Sequence, residues 1–468
     1  MTSSELSSPA IVRQAPWIGA ARIFGHVAAV TIVAALLMWP ALYNGYPLLY
    51  PDSALYIALS FAPQEYVPRG LTYPVLMHFL HAGFSLWPVI AAQALMASWV
   101  LHETVAAFCA RHRALWLIAL GLILAALTGL PWTVDQVMPD FGGGLMVLAI
   151  ALVMLYGGEF GAVRRLLLLG VVALGVALHP SHAPLAIGMV VLAALGRGWL
   201  GINWRGIGQA AMAAAAGIVI AVAVQWTIAG HPYYSQGGQQ FLFGRLVDDG
   251  IVADYLSEVC PQPALRLCAL KDQMPRSHNE YLWSRPEAFK LLGGWTPTPE
   301  LRHIILDSAA RMPLRHLAAI VADTARQLVH IDVGESLHRP GIEANRIVEI
   351  AFPHEAARFH EARQADGGID RLSALINPFQ RPVQLAALAG LVLSAILLAR
   401  AGRRRLAGFG LLVLAALVMN AFVCGVFSGT TERYQSRVAW LAVAAVVAMS
   451  MGARRQERSP ATAGLEAR

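Results

Sequence analysis

Charge is what this sequence has little of. Only 13% of its 468 residues are Asp, Glu, Lys or Arg, roughly half the share of an ordinary globular domain. Hydrophobic residues make up 57%, and mean hydropathy is +0.55. So few charges cannot cover the surface of a water-soluble chain of this length. Disorder is excluded too, because disordered chains are poor in apolar residues. Lysine is almost missing: Lys271 and Lys290 are the only two, so the net charge of +7 rests on arginine. No basic stripe with interleaved aromatics occurs, and nucleic acid is not an expected partner. The four cysteines include no C-x-x-C pair, which removes zinc-knuckle and thioredoxin-type motifs. P-loop, G-x-G-x-x-G, G-x-S-x-G and H-E-x-x-H patterns are absent as well. An integral membrane protein remains.

What is there is a series of about ten apolar runs: 24–43, 84–109, 114–130, 141–156, 166–178, 183–195, 207–229, 383–399, 406–427 and 438–451. A bilayer-spanning helix needs about 20 residues, fewer if its ends snorkel. The first run follows Arg13 and Arg22 without a small-residue cleavage site, so it is expected to be a retained anchor. The fifth and sixth are separated only by His179-Pro180-Ser181-His182, and form one kinked span or two short ones. Placing the gaps on alternate sides puts Arg111, Arg113, Arg164, Arg165, Arg197, Arg205 and the Arg400–Arg405 and Arg454–Arg458 groups together. That is the positive-inside pattern. The expected fold is therefore an all-α polytopic membrane protein of about ten transmembrane helices. Both termini are expected in the cytoplasm, in a bacterial inner membrane. Residues 1–230 carry helices 1–7, 231–381 form a mostly helical external domain inserted between helices 7 and 8, 382–453 carry helices 8–10, and 454–468 are a cytoplasmic tail. In the insert, helical periods run over 300–316 and 314–330. Cys260 and Cys268 lie in an oxidising compartment by this topology and are the disulfide candidate; two free thiols are the alternative.

Polar residues near a membrane are costly and mark function by default. Here they gather in the external loops. The first reads Tyr50-Pro51-Asp52-Ser53 through Tyr56, then Arg69 and Tyr73-Pro74. Asp52 at the membrane surface suits proton abstraction from a hydroxyl. It equally suits a helix N-cap before Ser53. Arg69 suits a phosphate, or a salt bridge with Glu65. The second loop holds Asp135 and Asp140; a carboxylate at the start of the fourth helix also suits its dipole. The third holds His179 and His182, whose spacing allows a shared metal, though hydrogen bonds to a substrate phosphate or a neighbouring carboxylate are the favoured reading. The last holds Glu432, Arg433, Tyr434 and Arg437. Two arginines four apart at a helix N-terminus suit a phosphate or pyrophosphate; an internal Glu432–Arg433 network is the alternative. Gly142-Gly143-Gly144 opens an apolar run and reads as close helix packing. The sequence names no cofactor; a divalent metal on Asp52 is the alternative to direct proton transfer.

Together these loops resemble the GT-C superfamily of membrane glycosyltransferases. The resemblance rests on Tyr50-Pro51-Asp52-Ser53 with Tyr56, on Arg69 with Tyr73-Pro74, on Pro139-Asp140 and on Glu432-Arg433-Tyr434. It implies inverting transfer of a sugar from a polyprenyl-phosphate donor to a glycan, lipid or protein acceptor on the external face. Asp52 would be the general base. Arg69, Tyr56, Asp135, Asp140, His179, His182, Arg433, Tyr434 and Arg437 would bind substrate. Membrane lipid is the surrounding partner. A transporter or flippase for an envelope substrate would instead place ionisable groups near the midplane and show internal repeats. A non-catalytic subunit would use the insert to bind a partner.

Overall fold

A computed structural model describes residues 16–64, 68–260 and 265–457. Arg13, Glu65 and Arg458 lie outside them. Every described element is helical; the nearest approach to a strand is an isolated parallel bridge between Leu48 and Gln136. Ten helices coincide with the ten apolar runs: α1 (Pro16–Leu37), α2 (Trp87–Phe108), α3 (Arg113–Leu127), α4 (Phe141–Tyr156), α5 (Ala162–Leu178), α6 (His182–Leu200), α7 (Trp204–Ala229), α8 (Gly368–Arg400), α9 (Arg404–Phe427) and α10 (Glu432–Glu457). Among the described residues, seven are long and apolar enough to cross a membrane: α2, α4 with its short extension to Glu159, and α6 to α10. The apolar part of α1 (Ile23–Leu37) and the whole of α3 are shorter. The break at His179–His182 separates two helices rather than kinking one.

Helix α4 is the axis of the bundle, with 89% of its apolar window buried. Its glycine run explains how. A Cβ on Gly143 would lie 2.8 Å from Nε2 of His182, and one on Gly144 would lie 2.6 Å from the buried ring of Trp440. The missing side chains let α6 and α10 close onto α4. At one end of the bundle arginines tie helix ends together. Arg164 pairs with Glu103, Arg405 with Glu159 at 2.5 Å and with the Leu155 carbonyl at 2.7 Å, and Arg403 with the Ala453 carbonyl at 3.1 Å. The external-loop residues of the sequence pattern meet at the opposite end.

Helix α8 departs from the expected boundary at 381–382. It is continuous from Gly368 and carries Pro378 and Pro382 inside it. Its 33 residues reach about 50 Å at 1.5 Å per residue, against a hydrocarbon core of about 30 Å. Part of it must therefore stand outside any bilayer.

Residues 231–367 divide in two. The first part has its own apolar core, including Phe243, Ile251, Tyr255, Tyr281, Leu292 and Ile304. Cys260 and Cys268 are joined there by a disulfide. Arg245 is buried against Asp248 (2.6 Å), Asp249 (2.5 Å) and Asp323, and so anchors this lobe to helix Pro313–Val329. The second part is a strap stitched to the first loop. Gln364 exchanges hydrogen bonds with both main-chain groups of Leu49 (3.1 and 2.6 Å), and its own N–H donates to Asn44 (2.7 Å). Buried Glu355 accepts from Tyr46 (3.0 Å) and Ser85 (2.7 Å). These bonds fix the loop that carries Asp52.

Candidate active site

The bridge at Leu48 sets the register of the site. Its N–H donates to the Asp135 carbonyl and its carbonyl accepts from Val137, both at 3.0 Å. Ser53 adds a bond from its hydroxyl to the Val137 carbonyl at 2.9 Å. The first and second loops are thereby locked side by side, with Asp52 and Asp140 each one residue before a helix. Both occupy N-cap positions, yet neither makes a side-chain cap bond. The capping alternative gives way to stronger partners, because a charge-assisted bond to a guanidinium outweighs one to a main-chain N–H.

Asp52 lies between two arginines. Arg69 reaches it at 2.7 Å and Arg433 at 3.3 Å. Burial pushes the Asp52 carboxyl up, but Arg69 and Arg433 outweigh it and hold it below the usual carboxylate range. Asp140 accepts from Arg437 at 2.9 Å. Burial raises it too, and Arg433 and Arg437 together pull it well below the ordinary value. Arg437 is spent four ways: on Asp140, on Ser181 (2.9 Å), on Asn420 (3.0 Å) and on the Cys424 sulfur (3.1 Å). Arg433 stacks over Tyr50 and Tyr434 at 4.3 and 4.9 Å. Its own N–H donates to Glu335 (3.0 Å), whereas Glu432 accepts from the Asp332 N–H (2.8 Å). An internal Glu432–Arg433 pair is therefore not what forms. Three guanidiniums directly share two carboxylates, and the Nε–H of Arg69, Arg433 and Arg437 is buried without a partner among the described residues.

His179 Nδ1 accepts from the Ser181 N–H (3.2 Å) and lies 2.8 Å from its hydroxyl. Burial drives its pKa well below the usual value, so the ring is neutral. His182 Nδ1 donates to the Gly175 carbonyl at 2.7 Å, and its Nε2 has no partner among the described residues. Their rings are 5.2 Å apart. No group of three or more His, Cys, Asp or Glu among the described residues is arranged to hold a metal ion. Asp135 does not join the cluster: it accepts from the Ala41 N–H at 2.7 Å and ties the first loop to the second. Burial pushes its carboxyl well up. The proposed Glu65 partner of Arg69 lies outside the described residues.

A cavity of about 440 Å³ opens beside the cluster. Arg69, Tyr56, His179, Ser181 and Tyr434 form its polar wall. Pro184 of α6, Val423 and Phe427 of α9, and Phe241 and Leu242 of the lobe form an apolar wall. Phe427 is exposed at the outer end of α9. Of the three arginines only Arg69 reaches the cavity wall, where it stands with neutral hydroxyl and imidazole groups opposite an apolar face.

Asn420, Cys424, Ser181 and Gln93 also serve the site, although no sequence motif marks them. Gln93, from the interior of α2, holds the Tyr73 hydroxyl at 2.8 Å and the Val134 carbonyl at 2.6 Å. The available signal was a lone amide in an otherwise apolar run, as in Val418-Met419-Asn420-Ala421, where a polar group needs a buried partner. Comparison of the chain with family models, with curated proteins and with solved structures gave no match.

Proposed function

We propose that this protein is a membrane glycosyltransferase of the GT-C type, moving a sugar from a polyprenyl-phosphate donor to an acceptor on the external face. One observation carries the reading. Residues 52, 69, 140, 179, 433 and 437 come from four separate loops and meet in one buried cluster beside a cavity that is polar on one wall and apolar on the other. Buried guanidiniums with unpaired N–H groups fit a lipid-linked phosphate better than they fit one another. The accompanying topology has ten crossings, with α1, α3 and α5 as short spans and the arginine-tied end in the cytoplasm.

In the transfer, an acceptor hydroxyl oxygen bonds to the anomeric carbon while the carbon–oxygen bond to phosphate breaks. The bonding pair leaves with the polyprenyl phosphate, and Asp52 takes the hydroxyl proton. As it stands, Asp52 is a weak base, because two guanidiniums hold its proton affinity down. Donor phosphate competes for Arg69 and Arg433, so its arrival frees the carboxylate and raises its basicity. Base activation is thereby tied to donor binding. Asp140 and Arg437 position the last helix rather than react. Incubating the purified protein with polyprenyl-phosphate-linked sugars and a cell-envelope extract as the source of acceptor, and measuring release of free polyprenyl phosphate, tests the reading. Wild type should discharge a donor and Asp52→Asn should not; no discharge of any donor by wild type counts against the function.

A further inference from the structure

The lobe carries an aromatic surface that the cluster does not use. Phe241, Trp283 and Trp295 form a triangle with ring centroids 6.2, 5.7 and 5.8 Å apart. Phe289 stands edge-on beneath Trp295 at 5.2 Å and braces it. Such a group would ordinarily be a buried core. Here Trp283 is 43% exposed, and Phe241 lines the cavity. The triangle is also fixed to the reaction centre. The Arg69 guanidinium sits 5.3 Å over the Trp283 ring while bonding Asp52. On the other side His278, 6.1 Å from Phe241, packs against Gly429 in the loop that precedes Arg433, where a Cβ would come within 3.3 Å of the imidazole.

Around the rings lie polar atoms with nothing to bond. Trp295 Nε1, His278 Nε2 and the Gln236 side-chain carbonyl oxygen are buried and have no partner among the described residues. Buried indole N–H groups usually find one. All three side chains are uncharged: burial lowers His278 to about 4, so it is neutral near pH 7. Apolar ring faces bordered by neutral donors and acceptors suit a pyranose ring. Its C–H face lies on the aromatics while its hydroxyl edge takes the hydrogen bonds.

We infer that Phe241, Trp283 and Trp295 form a saccharide-binding platform, which presents a pyranose ring to the Asp52 site. The inference rests on the glycosyl-transfer reading only for what happens next to that ring. The ring belongs either to the acceptor or to the donor's own sugar.

Saturation-transfer NMR on the full-length protein in lipid nanodiscs tests this, with a panel of methyl hexopyranosides as probes. At least one should show saturation of its ring C–H protons. Trp283→Ala should weaken its binding about tenfold, about 1.4 kcal/mol, which is within the range of stacking on one aromatic ring. Trp283→Phe should recover most of it. Because Trp283 is exposed, its replacement should leave the melting temperature in place, and gel filtration checks the fold. Displacement of the probe by the matching polyprenyl-phosphate-linked sugar, but not by polyprenyl phosphate alone, assigns the ring to the donor. No displacement by either assigns it to the acceptor, and both results support the platform. No pyranoside bound by a wild type that still discharges donor, or equal binding by Trp283→Ala, overturns it. Probe binding without any donor discharge leaves the platform standing and overturns the transferase reading instead.

Discussion

Replacing Arg437 with alanine should be the most damaging single change at the site. Its side chain is 1% exposed, and it answers Asp140, Ser181, Asn420 and Cys424 at 2.9–3.1 Å. Without it the Asp140 carboxylate, itself 4% exposed, is left buried with no guanidinium bonded to it. Breaking a buried pair from one side costs about 3–5 kcal/mol, because an uncompensated charge stays behind. At roughly 2 °C per kcal/mol for a large domain, the melting temperature should fall by roughly 6–10 °C. The double variant Arg437→Ala with Asp140→Asn should regain much of that loss, since no charge is then stranded. Arg69→Ala is the control. Asp52 is 18% exposed and keeps Arg433, so the loss should be clearly smaller. Thermal melting in one detergent, followed by size-exclusion fluorescence, reads all four proteins. Equal shifts for Arg437→Ala and Arg69→Ala, or no recovery in the double variant, would refute the reasoning.

Three further outcomes follow. Gly144→Ala would drive a methyl into the Trp440 ring, which is buried with no room to retreat; overpacking of this kind costs about 1–3 kcal/mol, and an unchanged melting temperature would show that α10 is not seated on α4 as described. Asp52 and Asp140 are both held below their ordinary values. Their contribution is therefore fully present above the unfolded carboxylate pKa of about 3.9 and is lost as pH falls through the folded values. The melting-temperature difference between wild type and Asp52→Asn should stay level from pH 8 to about 5 and shrink below about 4; the buried neutral His179 and His278 destabilise both proteins alike below the free-histidine value of about 6.5, so a difference that shrinks between pH 7 and 6 would contradict the pairing. Finally, the Cys260–Cys268 disulfide closes a loop eight residues apart, worth about 2–3 kcal/mol by chain entropy. Replacing both with serine should speed proteolysis of the lobe around residues 255–275 and leave the bundle intact, as mapped by mass spectrometry of the fragments.

The helices were legible because hydropathy is local: each apolar run became a helix, and seven reach spanning length. Of the polar loop residues, Asp52, Arg69, Asp140, His179, Arg433 and Arg437 could be named from chemistry alone, since charge near a membrane needs a reason. Their partners could not. Asp52 meets Arg433 across a separation of 381 residues, and Gln364 meets Leu49 across 315; no local pattern encodes such pairs. The strap formed by residues 331–367 looked like part of a free external domain because its composition is ordinary, yet Val348, Phe352 and Phe359 pack into the main core. In sequence the helix-dipole alternative weighed more on Asp140 than on Asp135, yet Asp140 is the one in the cluster. The difference is a single main-chain N–H, that of Ala41, which holds Asp135 outside the cluster. Local capping rules failed at Asp52 for the same reason they succeed elsewhere: the strongest available donor takes the carboxylate, and here that donor is a guanidinium.

The most direct test of the account is donor discharge by Asp52→Asn in nanodiscs supplied with a cell-envelope extract as acceptor, with release of polyprenyl phosphate followed by mass spectrometry and the melting temperature measured on the same sample. Loss of a positioned general base costs about 10²–10⁴ in rate. The account requires a fall of at least about a hundredfold in a protein that still melts as one folded species. Discharge at the wild-type rate by the folded variant would contradict it.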